Sequence, residues 1–173
     1  MMKKFFKLIL CFSIMLFAVL AVNAEDGVLE YNFDDGEFSG WGPRGDGVVV
    51  EVVDKQSRSG DYSLLTTGRS SNWHGPCLDI HELVEEGATY EISLWVNLAN
   101  KPNGGVIVTV EKKRGTETGW DRVAGPVNAR RGRWTQISGQ YTIPAGYDIL
   151  TLYIESEDAT LEFYIDDVKI VKK

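Results

Sequence analysis

The stretch Thr89-Tyr90-Glu91-Ile92-Ser93-Leu94-Trp95-Val96-Asn97-Leu98 alternates in character along its length. Ile92, Leu94, Val96 and Leu98 share one face, and Glu91, Ser93, Trp95 and Asn97 share the other, which is the period of a half-buried β-strand. Trp95 falls on the polar face or under the edge of a second sheet. Ile149–Glu155 repeats the pattern: Leu150, Leu152 and Ile154 point to a core, while Thr151, Tyr153 and Glu155 point the other way. Tyr153 and Glu155 then share a wet face, about 7 Å apart by strand rise. In Leu161–Val171 the apolar positions run odd through Ile165 and even from Val168. A bulge or bend at Asp166-Asp167 accounts for that change of parity.

Working outward, further strands are expected at Leu29–Phe33, Val48–Val53, Tyr62–Thr66, Cys77–Ile80, Val106–Glu111, Arg122–Val127 and Trp134–Thr142. Turns are expected at Asp35-Gly36, Ser59-Gly60, Glu86-Gly87, Asn103-Gly104-Gly105, Arg131-Gly132 and Pro144-Ala145-Gly146. Ile80–Glu85 can form one helical turn. Many short strands at such spacing predict an all-β sandwich or barrel.

The N-terminus is of another kind. Lys3, Lys4 and Lys7 precede an apolar run from Leu8 to Val22 broken only by Ser13, and Val22-Asn23-Ala24 offers small residues for cleavage. This reads as a secretory signal peptide over residues 1–24, too short for a membrane span of roughly 20 apolar residues. Residues 25–173 form the expected domain. Removing 24 residues from 173, with three lysines, leaves 149 residues and moves the net charge from −7 to −10. That charge excludes binding nucleic acid or anionic membrane by bulk electrostatics. The expected protein is secreted, extracellular and monomeric. Cys11 leaves with the leader and is poorly placed for lipidation. Cys77, then alone, makes no internal disulfide and reads as a small core residue.

Motifs for catalysis are lacking. The chain has no G-x-S-x-G, H-E-x-x-H or C-x-x-C, and only two histidines. Glu155 and Glu157 share a strand parity, but two acids so placed read more readily as a solvated face than as a glycosidase pair. Aromatics in polar, Gly-rich loops stand out instead: Trp41 in Gly40–Gly45, Trp73 in Arg69–Pro76 and Trp120 in Thr118–Asp121. Rigid aromatic planes suit the C–H faces of pyranose rings and lose little entropy on binding. Trp73 and Trp120 read as surface residues, Trp134 as a packing residue, and Trp41 as either.

Five segments in register carry a resemblance: Tyr31–Gly36 with Gly40-Trp41, Ser59–Leu64, Gly87–Tyr90 with Ser93–Val96, Gly132–Thr135, and Phe163–Val168. Together they resemble the carbohydrate-binding modules of the family 4/9/22 type. Thr67-Gly68-Arg69 followed by Trp73-His74-Gly75-Pro76 is similar to family 22, the xylan-binding modules. The resemblance implies a β-sandwich jelly roll with a groove on one sheet and no catalytic residues. It implies ligand contacts by Trp73, by Trp120 at a position usually Tyr, by Tyr153 and Glu155 as a Tyr-x-Glu, and by Arg44 after the first Gly-Trp. The implied partner is plant cell-wall polysaccharide, xylan first and mixed-linkage β-glucan or cello-oligosaccharide second, with a separate glycoside hydrolase acting on the same polymer. A structural Ca²⁺ is implied at Asp34 and Asp166, completed by carbonyls around Lys55–Asp61, with Asp167 as the alternative to Asp166; oxygen ligands suit that ion. Readings from other classes are a protein-partner module and a small glycosidase using Glu155.

Overall fold

The computed structural model describes residues 27–173; the expected leader and its cleavage point lie outside them. Eleven strands follow in order: β1 (Val28–Tyr31), β2 (Gly42–Arg44), β3 (Val49–Val53), β4 (Ser63–Thr67), β5 (Gly75–Asp79), β6 (Thr89–Leu98), β7 (Asn103–Arg114), β8 (Glu117–Arg130), β9 (Thr135–Thr142), β10 (Ile149–Ser156) and β11 (Phe163–Lys172). Among the described residues the one helical turn, His81–Leu83, is a 3₁₀ segment in the Ile80–Glu85 stretch.

The strands form two antiparallel sheets packed as a β-sandwich of jelly-roll type. One runs β3-β4-β11-β6-β9, with β1 also on β11; the other runs β2-β5-β10-β7-β8. The predicted alternation sets the layers. Ile92, Leu94 and Val96 from β6 are wholly buried, as are Leu152 and Ile154 from β10 and Phe163, Ile165, Val168 and Ile170 from β11. Burying apolar surface at about 25 cal/mol per Å² is what holds the two layers face to face.

The parity change in β11 is a register shift between Asp166 and Lys169. Along one edge, β11 pairs with β4 through Phe163–Ile165, then with β1 through Val168–Val171. The bulge is where the partner strand changes. Asp167 takes a left-handed φ of +45° there, the local kink that a bulge introduces.

Three local expectations are corrected. Gly42–Arg44, read as loop, is an edge strand on β5. Asn103-Gly104-Gly105, read as a turn, opens β7. A Cβ on Gly104 would come within 2.9 Å of Leu161, so the glycines there make room for packing rather than for a bend. Thr118–Asp121 lies inside β8, since β7 and β8 form one long hairpin closed by Gly115-Thr116, with Gly115 at φ +55°.

Candidate functional site

The outer face of the β2-β5-β10-β7-β8 sheet carries an open cleft of ≈ 500 Å³ lined by Arg44, Trp73, Trp120, Tyr153 and Glu155. All five residues expected to contact a ligand are gathered there. Strand register explains how. Gly75 pairs with Arg44, Cys77 with Tyr153, Tyr153 with Thr109 and Glu111 with Trp120, so Arg44, Tyr153, Glu111 and Trp120 project from one face.

The floor is polar and fixed. Tyr153 is 2% exposed, which corrects its placement on an open wet face: the parity holds, but Arg44 covers the ring, its guanidinium carbon 4.2 Å from the centroid. The same guanidinium lies 5.5 Å from the Trp73 ring, within the range of cation–π attraction. Arg44 Nη1 donates to Glu111 Oε2 at 2.6 Å, and Lys113 Nζ lies 3.3 Å from Glu111 Oε1. Burial works against the Glu111 carboxylate, but Arg44 and Lys113 outweigh it and hold the pKa below the usual range. Burial pushes the Tyr153 phenol up to about 12, with the Glu155 charge adding to it; the hydroxyl stays protonated. Thr109 Oγ1 donates to Glu155 Oε1 at 2.6 Å and so fixes that carboxylate.

The walls are aromatic. Trp73 is 48% exposed and Trp120 58%. Trp73 rides on the β4–β5 loop, organised by Arg69. That guanidinium is almost fully buried and donates to five carbonyls: Ser71, Asn72 and His74 in the loop, and Asp158 and Leu161 between β10 and β11. Burial lowers its pKa to about 10, opposed by Asp158 and Glu155; it remains charged. The His74 ring packs edge-on to Trp73 with centroids 4.4 Å apart. A Cβ on Gly45 would overlap that His74 ring at 2.3 Å. Trp120 stands on the hairpin arm, braced on the reverse side where Lys112 Nζ and the Tyr141 hydroxyl donate to Asp121 Oδ2 at 2.6 and 2.8 Å.

Sequence reasoning missed Glu111, Thr109 and the role of Arg69. The parity of Thr109 and Glu111 in β7 is a usable signal once that strand faces Tyr153; the inward turn of Arg69 has none. Trp41 is elsewhere, buried edge-on against Tyr31 at 6.0 Å. Trp134 donates Nε1 to Ser57 O at 3.0 Å, a packing role as read. Cys77 is only half-buried, on β5 beside Tyr153.

The two acids expected at a metal converge on one loop away from the cleft. Asp34 Oδ1 accepts from the Asp61 and Tyr62 amides at 2.8 and 3.3 Å. Asp166, fully buried, accepts from Arg58, Ser59 and Asp167 amides at 2.7, 3.3 and 2.7 Å. Burial pushes the Asp166 carboxyl up to about 6. Asp167 is held differently, by the Arg58 guanidinium and the Ser59 hydroxyl.

Known proteins are similar to this chain across the same region. A family model described as "Carbohydrate binding domain" matches residues 25–160. The CBM22-1 xylan-binding domain of Paenibacillus barcinonensis Xyn10C superposes with a TM-score of 0.80 at 34% identity, covering 86% of this chain and 97% of that one. The CBM22-2 xylan-binding domain of the same enzyme gives 0.78 at 27% identity, covering 84% and 99%. Endo-1,4-beta-xylanase A of Thermoanaerobacterium saccharolyticum is 39% identical over 140 residues, which are 80% of this chain and 12% of the enzyme. The chain thus spans only a small part of the length of the curated xylanases it matches. By family match, sequence and fold, this chain belongs to the carbohydrate-binding domain family, as a module of the family 22 type.

Proposed function

We propose that the cleft binds the interior of a soluble xylan chain without catalysing a reaction on it. The observation that carries this reading is the pairing of two exposed indoles, Trp73 and Trp120, with a rigid polar floor of Arg44, Tyr153 and Glu155 in one open cleft. The indoles offer apolar faces to successive sugars. Arg44 donates to hydroxyls, and the Glu155 carboxylate accepts from them, a charge-assisted contact stronger than a neutral one. Because both groups are anchored by Glu111 and Thr109 before any ligand arrives, binding costs little ordering entropy. Trp73 enters from the β5 side and Trp120 from β8, with β10 and β7 between them, so the two rings flank the floor. That shape suits a single twisted chain more than a crystalline cellulose face. The similarity to domains described as xylan-binding supports the choice of polymer.

A glycan array tests it: xylan and xylo-oligosaccharides should be retained above mixed-linkage β-glucan and cello-oligosaccharides. Retention of none, or release of reducing ends from any of them, would refute non-catalytic xylan binding. In this reading the protein is a secreted monomer, and the similarity to part of a xylanase supports a place beside a glycoside hydrolase.

We also propose a structural Ca²⁺ held by Asp34 and Asp166. Neither carboxylate pairs with a basic side chain among the described residues, and Asp166 is a buried charge served only by amides. Asp167 already has Arg58 as its cation, which favours Asp166 as the ligand. Among the described residues, no group of three or more His, Cys, Asp and Glu side chains gathers to hold a metal. Carbonyls of Lys55–Asp61 would therefore complete the oxygen set. The ion would neutralise the buried Asp166 carboxylate and, through the exposed Asp34, tie the N-terminal loop to β11. A chelator should lower the melting temperature, with Ca²⁺ restoring it; an unchanged melting curve would remove the metal.

A further inference from the structure

A second aromatic groove, of ≈ 480 Å³, lies beside the β8–β9 connection and on the outward face of the other sheet. It is lined by Trp95, Trp134, Arg130, Arg133, Asn128 and Gln136. Trp95 on β6 pairs with Gln136 on β9. Trp134, two residues before Gln136, projects from the same side.

Both indoles are held by neighbouring groups. The Arg58 guanidinium lies 4.2 Å over one face of Trp95 and bonds Asp167 at 2.6 Å. Trp134 is fixed through its Nε1 to the Ser57 carbonyl. Arg130 and Arg133 are bridge partners in the backbone, exposed, and without an ion pair among the described residues. Free arginines are conspicuous in a chain of 25 Asp+Glu against 18 Lys+Arg. A rigid aromatic wall, two unpaired guanidinium forks and two amide side chains suit a sugar that carries a carboxylate. A densely charged polyanion is disfavoured by the net charge of −7; one carboxylate on an otherwise neutral chain is not.

We propose that this groove is a second glycan site, selective for a uronic acid unit of the polysaccharide. It takes the polymer class from the xylan reading but does not depend on the cleft. With both sites occupied the module engages a uronate-substituted polymer at two points, and avidity for that polymer rises above affinity for either unit.

The test uses the full chain and two ligands, xylotetraose and glucuronic-acid-substituted xylotetraose, titrated by calorimetry. Trp73→Ala/Trp120→Ala disables the cleft and alters only exposed residues. This variant should lose xylotetraose yet still bind the substituted ligand. Adding Arg130→Ala/Arg133→Ala should weaken the remaining binding by about tenfold or more, as expected for lost charge-assisted hydrogen bonds, with circular dichroism unchanged. Absence of any binding by the cleft variant, or residual binding insensitive to the arginines, overturns the proposal while leaving the cleft reading intact. Failure of wild type to bind xylotetraose, with arginine-dependent binding of the substituted ligand kept, defeats the cleft reading and upholds this one. Retention of hexaglutamate but of neither sugar would assign the groove to an acidic protein segment and also overturn it.

Discussion

Replacing Glu111 probes whether the cleft floor is built in advance. The carboxylate is buried and receives Arg44 at 2.6 Å and Lys113 at 3.3 Å. Truncating one partner of a buried pair strands the other charge, at about 3–5 kcal/mol when both are fully enclosed. Here the Arg44 side chain keeps 17% of its exposure, so Glu111→Ala should lie nearer about 2–3 kcal/mol. Glu111→Gln keeps an acceptor and loses the charge, which should cost about 1 kcal/mol. Affinity for xylohexaose by calorimetry should follow the same order, about tenfold weaker for Ala and about threefold for Gln, because Arg44 leaves its position over Tyr153. The pH dependence carries a sign. The folded pKa of Glu111 is depressed, so the pair's contribution is present above the ordinary carboxylate range and is lost as pH falls through the depressed value. Wild-type stability should therefore drop further on acidification than that of Glu111→Gln. Wild-type affinity and melting temperature in Glu111→Ala would refute the idea that this carboxylate holds Arg44.

Other substitutions separate walls from scaffold. Arg69→Met removes the donor to five carbonyls and should cost about 3 kcal/mol or more by leaving buried acceptors unpaired; an unchanged thermal unfolding curve would refute that role. Gly75→Ala would set a Cβ 1.8 Å from the Ile154 carbonyl oxygen, and should destabilise by about 3 kcal/mol through forced separation of β5 from β10; urea unfolding reads it. Trp120→Tyr should keep xylohexaose binding within about threefold, whereas Trp120→Ala should weaken it about tenfold or more. Equal losses in the two would mean that something other than an aromatic plane is needed there.

Much of this was legible in the chain, and the misses have physical reasons. Strict alternation in Thr89–Leu98 gave β6 its bounds because one face is wholly buried and the other is not. The parity change at Asp166-Asp167 marked a bulge without any partner strand in view. Glycine is an ambiguous signal in this chain. Asn103-Gly104-Gly105 looks like a turn, yet the residues are small because Leu161 presses on the strand, a contact distant in sequence. Arg44, Trp73, Trp120, Tyr153 and Glu155 came from resemblance, with strand parity joining only Tyr153 to Glu155. The burial of Tyr153 was not foreseeable, since the residue covering it lies on β2, a short edge strand of Gly, Pro and Arg. Arg69 was hidden for a similar reason: a charged side chain is expected outside, and only a cage of carbonyls from two loops turns it inward.

The indole N–H resonances of the five tryptophans, followed by NMR as xylohexaose is added, test most directly whether the outward rings take the sugar. Trp73 and Trp120 should shift in a saturable way while Trp41, Trp95 and Trp134 stay in place. Saturable binding with Trp73 and Trp120 unmoved, or no binding of the oligosaccharide, would contradict it.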